Sequence, residues 1–131
     1  MTPDDSQEER LRFVQHKGQE IFIIDFSHCT AKELLLLLDQ VRADVAGHEP
    51  GSVLTLADFS GAHIDKAVAT KIKEVLTLDR PYVKKSAWVG TESLPHVFYE
   101  NFKSFSQREF PTFKTREEAM EWLVGEHGSR E

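Results

Sequence analysis

Four side chains able to carry a proton or accept a covalent group stand between positions 58 and 65: Asp58, Ser60, His63 and Asp65. Two carboxylates that close can divide general acid and general base work. A serine hydroxyl can accept a phosphoryl group. A histidine in the same loop can tune partner binding with pH. Each also has a plainer role. Asp58 and Ser60 suit a turn, where short polar side chains bond their own backbone. Asp65 suits a helix start, where a carboxylate accepts a backbone N–H and meets the positive end of the helix dipole. These plainer roles are the reading adopted.

His28-Cys29 forms a second candidate, because a thiol at a helix start can have a lowered pKa. No third group joins it by spacing, so a catalytic dyad is not expected. The histidines at 16, 28, 48, 63, 96 and 127 show no His-x-x-x-His spacing that would set two metal ligands on one helix face. Neither phosphate-cradling glycine pattern occurs, and there is no G-x-S-x-G elbow. The expectation is therefore a protein with no catalytic residue, no metal and no cofactor.

The elements that hold these residues follow from periodicity. Val53, Leu54, Leu56 and Ala57 form a short apolar run, long enough for a buried strand at about 52–58 and too short for a helix. Asp58-Phe-Ser-Gly61 ends it. An amphipathic helix then runs from about Asp65 to Leu78, with Val68, Ile72, Val75 and Leu76 inward and Lys66, Thr70, Lys73 and Thr77 outward. Arg80-Pro81 stops it. Upstream, alternating residues 10–15 and the apolar run Glu20–Phe26 flank Lys17-Gly18, which reads as a hairpin. Thr30-Ala-Lys-Glu33 has capping-box spacing and opens a helix to about Ala46. Its leucine stripe is wide, as suits a helix packed on the sheet and on a neighbouring helix; the alternative sets Leu36 outside the core, on a partner surface.

Downstream, Tyr82–Gly90 reads as a strand with Val83, Lys85, Ala87 and Val89 on one face. A third helix is expected over about Ser93–Ser106, with an aromatic cluster around Phe98, Tyr99 and Phe102. A short strand at about Glu109–Phe113 and a helix capped at Thr115, with Ala119, Trp122 and Leu123 inward, complete the chain. Strand–helix alternation after the hairpin implies an α/β domain: about five strands, mostly parallel, and about four helices. No linker or internal repeat is evident. One domain is expected over 10–125, with flexible tails at 1–9 and 126–131.

Composition excludes several classes. A formal net charge of −6 with interrupted basic spots argues against nucleic acid as a partner. No apolar run reaches the roughly 18 residues of a membrane span. The start, Met1–Glu9, is acidic and unlike a secretory signal. Cys29 has no second cysteine to pair with. These features favour the cytoplasm.

LADFSGAHID, RPYVKKSAWVG and FPTFKTREEAMEWL together resemble the SpoIIAA-like branch of the STAS superfamily, over roughly residues 10–124. The likeness is to its small bacterial stand-alone proteins, whose fold is grouped with the CRAL-TRIO lipid-binding domains. The resemblance implies a regulatory, protein-binding role. In the anti-sigma-factor antagonists an Asp-x-Ser turn is followed by Asp-Ser-Ser-Gly, whose first serine is phosphorylated. Asp58 and Ser60 match the turn, and Asp65 matches the later aspartate after a one-residue shortening. Lys66-Ala67-Val68 then replaces the serines and glycine, so the phosphoacceptor is missing. The expected partner surface, for another protein or a second copy, is Asp58, Ser60, His63, Asp65, Lys66, Thr70 and Lys73. The alternative is a small apolar, lipid-like ligand held near Phe98, Tyr99 and Phe102.

Overall fold

The computed structural model describes residues 10–94 and 111–125. These hold β1 (Leu11–His16), β2 (Gln19–Asp25), α1 (Ala31–Ala46), β3 (Val53–Asp58), α2 (Lys66–Asp79), β4 (Val83–Val89), β5 (Thr112–Phe113) and α3 (Arg116–Val124). A 3-10 turn at Thr91–Ser93 follows β4. Beyond Leu94, the helix expected at about 93–106 lies outside the described residues, and with it Phe98, Tyr99 and Phe102. Three α-helices are present among the described residues.

The strands form one mixed sheet in the order β1-β2-β3-β4-β5. β1 and β2 are the expected antiparallel hairpin, and the remaining neighbours are parallel. Lys17 (φ 51) and Gly18 (φ 81) make the hairpin turn. Two successive positive φ angles match the right-handed twist of the flanking strands.

The pleat sorts side chains between two layers. On one face Phe22, Ile24, Val53 and Ala57 pack with α1 and α2. On the other, Ile21, Ile23, Leu54 and Leu56 pack with Ala119 and Leu123 of α3. Coverage on both sides explains why β2 and β3 read as nearly unbroken apolar runs. In β4 the pairing skips a residue: Val53 lies opposite Val83, but Leu54 opposite Lys85. Such a bulge reverses the alternation locally. Val83 therefore joins the α1/α2 core, while Ala87 and Val89 join the α3 core. This corrects the single face expected for Val83, Lys85, Ala87 and Val89.

The capping box of α1 is formed in both directions. Glu33 N–H donates to Thr30 Oγ1 (3.2 Å), and Thr30 N–H donates to Glu33 Oε1 (2.9 Å). Leu34, Leu37, Leu38, Val41 and Val45 are buried, whereas Leu36 is 56% exposed. Each buried leucine contributes about 2 kcal/mol through area removed from water. Lys71 of α2 reaches across to Asp39 of α1 (2.5 Å), tying the two helices at the surface.

Candidate functional site: twin aspartate turns bridged by an arginine

β2 and β3 end in the same tripeptide, Asp25-Phe26-Ser27 and Asp58-Phe59-Ser60. Strand alternation sends the two phenylalanines into the α1/α2 core. Their rings lie 5.2 Å apart, and Phe59 packs on Trp88 at 4.8 Å. It sends the two aspartates toward α3. In each turn the serine N–H and hydroxyl both donate to Oδ1 of the aspartate two residues back, at 2.9 and 2.5 Å for Ser27 and at 3.0 and 2.7 Å for Ser60.

Asp25 and Asp58 are register partners on adjacent parallel strands. Like charges in that position repel, and Arg116 resolves the conflict. Its Nε donates to Asp58 Oδ2 at 2.9 Å, and its Nη2 lies 3.2 Å from Asp25 Oδ1. Arg116 is the first residue of α3, after the Thr115 cap. A cation there opposes the helix dipole, so the paired carboxylates are what hold it in place. Arg10 closes the edge, donating from Nη1 to the carbonyl oxygens of Asp25 (3.1 Å) and Ser27 (3.0 Å).

The electrostatics follow the contacts. Burial raises the Asp25 pKa, but the two Ser27 hydrogen bonds and the Arg116 charge outweigh it and hold the carboxyl below its usual value. Burial lowers the Arg116 pKa, but the hydrogen bond to Asp58 and both carboxylates leave it raised.

Backbone bonds join the turns. Phe26 N–H donates to Asp58 O, His28 N–H to Ser60 O and Phe59 N–H to Val89 O, each at 2.8 Å. Gly90 (φ +73) lies so close to Ser60 that a Cβ would overlap its backbone, and Gly61 (φ +67) sits beneath the His28 ring. Both positions need glycine for conformation, and Gly90 needs it for space as well.

Asp58 and Ser60 thus belong to one internal network. Asp65 has a separate task, capping α2 by accepting from Val68 N–H at 2.9 Å. His63, Asp65, Lys66 and Thr70 are exposed, and Lys73 is half-buried. Cys29 is fully buried, and burial pushes its thiol up. That is the reverse of the lowering a helix start can give: the side chain points into the core, where a thiolate loses its hydration.

Asp25, Ser27, Arg10 and Arg116 were not among the expected site residues. The doubled Asp-Phe-Ser is the signal for the first two, and a cation directly after a helix cap is the signal for Arg116. Among the described residues no group of three or more His, Cys, Asp and Glu could hold a metal ion. Among them, too, no helix is long and apolar enough to cross a membrane. No family model, curated protein or solved structure matches this chain.

Proposed function

We propose that the chain is a non-enzymatic, STAS-like regulatory module that binds a protein partner or a second copy of itself. The contact surface is the open part of the turn from Asp58 to Ile64, around Gly61 and His63, with the outward face of α2, while Asp58 itself is buried beneath it. One observation carries the reading: Asp58 is committed to Ser60 and Arg116. A carboxylate held that way is poorly placed to move protons and well placed to stiffen a turn. His63 in this turn, and Asp65, Lys66 and Thr70 at the start of α2 just after it, are exposed. Ser60 is the nearest hydroxyl to the missing phosphoacceptor position, and its Oγ is bonded to Asp58. A phosphate there would add roughly two negative charges beside Asp58, so control by phosphorylation of this turn is not part of the proposal.

The test is cross-linking of the tagged chain in cells, compared with Lys66→Glu/Lys73→Glu. Loss of the cross-linked species, with unchanged thermal stability, is the expected result. An identical cross-linking pattern rules the surface out.

A further inference from the structure

Between the sheet and the α1/α2 layer lies a cavity of about 70 Å³. That is several times the roughly 10–15 Å³ one water needs. Its wall is chiefly apolar, including Phe26, Val41, Ile72 and Trp88. The sheet side adds Thr55 and Ser86, whose hydroxyls are hydrogen-bonded to each other at 2.8 Å. The helix side adds Asp79, which is only 6% exposed.

Asp79 is out of place by every local rule. It continues the buried stripe of Val68, Ile72 and Val75. It is the last residue of α2, where the helix dipole disfavours an anion. Among the described residues it pairs with Arg42 of α1, which lies 3.6 Å from Oδ1, beyond good hydrogen-bond range. Oδ1 has no hydrogen-bond partner among the described residues. A buried acceptor left unmatched costs free energy that a bound donor would recover.

We propose that this cavity is a binding site for a small uncharged molecule with an apolar body and one hydroxyl head, the head hydrogen-bonded to Asp79. The apolar wall selects the body. The charges select the head. Arg42 faces Asp79 from α1 and Arg80 adjoins it along the chain, while the sheet residues lining the cavity carry no charge. A cationic head would meet Arg42, and an anionic head would meet Asp79. A hydroxyl adds no net charge, and it serves either state of the carboxyl: it accepts from the acid and donates to the carboxylate. Burial lifts Asp79 to about 7, so both states are populated near neutral pH. The site lies under the helices rather than on the outer face of α2, and it stands independently of the interaction reading.

The probes are butanol, butyrate and butylammonium, titrated at millimolar concentration into the isotope-labelled full chain near neutral pH and followed by NMR. Butanol is expected to shift the amides of the lining residues and to bind tighter than either ion. In Asp79→Leu its affinity should fall about three- to tenfold, the worth of one hydrogen bond, while benzene binding stays unchanged. The proposal is overturned if butanol leaves the lining residues unmoved, if either ion binds as tightly, or if Asp79→Leu binds butanol equally well. Should that variant fail to fold, the ranking of the three probes on the unaltered chain decides.

Discussion

Among the charged side chains set against a helix dipole, Arg116 and Asp79 are treated in opposite ways. Arg116 is a cation at the start of α3, and Asp79 is an anion at the end of α2. Arg116 is met by two carboxylates at 2.9 and 3.2 Å. Among the described residues Asp79 is met by the Arg42 guanidinium at 3.6 Å and by a largely apolar wall. The first arrangement is closed: each charge has a matched partner, and the turns it ties become rigid. The second is open: desolvation outweighs the Arg42 charge, and the carboxyl keeps its proton to about pH 7. Wrong-sign charges at helix ends are therefore no guide to function until their partners are counted. The satisfied one marks architecture, and the unsatisfied one marks room for something else.

The largest effect is expected on the closed side. Arg116→Ala leaves Asp25 and Asp58 adjacent and unbridged, and removing one member of a half-buried charge network costs about 2 kcal/mol, less than the roughly 3–5 kcal/mol of a fully buried one. Urea denaturation at neutral pH should show this loss. Arg116→Lys should recover only part of it, since an ammonium cannot fork between two carboxylates as a guanidinium does. Full recovery with lysine would mean that charge alone, and not the bridge, holds the edge.

On the open side the sign reverses. Burial raises Asp79 from the usual 3.8 to about 7. In the unfolded chain the group ionises near 3.8, while in the folded chain it keeps its proton until about 7. Its contribution is thus fully present below pH 3.8, falls as pH rises to about 7, and is flat above. The full gap corresponds to at most about 4 kcal/mol. Asp79→Asn removes the titration but buries an amide, which offsets about 2 kcal/mol of the gain. A net stabilisation of about 2 kcal/mol above neutral pH is expected, with no gain in acid, read from urea midpoints across the pH range. Parallel profiles for the two proteins would show that Asp79 is hydrated and the cavity floor is wet.

Much of the frame was legible because it rests on local signals. The Lys17-Gly18 turn, the Thr30–Glu33 box and the two-sided apolar runs of β2 and β3 each name their element without tertiary help. The bulge in β4 was not legible: the sequence alternates cleanly through Val83, Lys85, Ala87 and Val89, and only pairing with β3 reveals the skipped residue. The site was half legible. Asp58, Ser60 and Asp65 stand in one stretch, so their turn and cap roles were apparent. Asp25 and Arg116 come from distant segments, joined by strand register and by where α3 begins. Asp79 lies on a helical stripe that the sequence shows plainly, but it sits just past the last apolar residue and reads as a polar helix end. Its burial depends on α1 packing over it.

The smallest effects separate rigidity from mere close packing within the closed side. Gly90 and Gly61 both have positive φ, so an alanine at either costs about 1 kcal/mol from backbone conformation alone. What the new methyl meets differs. At Gly90 it meets the backbone of Ser60, which is fixed by Asp58. At Gly61 it meets the exposed imidazole of His28, which can swing aside. Gly90→Ala is therefore expected to cost about 1.5 kcal/mol or more and to disturb the amide resonances of both Asp-Phe-Ser turns. Gly61→Ala should stay near 1 kcal/mol and move resonances around His28 alone. Equal costs, with shifts confined to each site, would show that the Ser60 turn yields as readily as a surface side chain. The rigid-turn basis of the proposed partner surface would then fail.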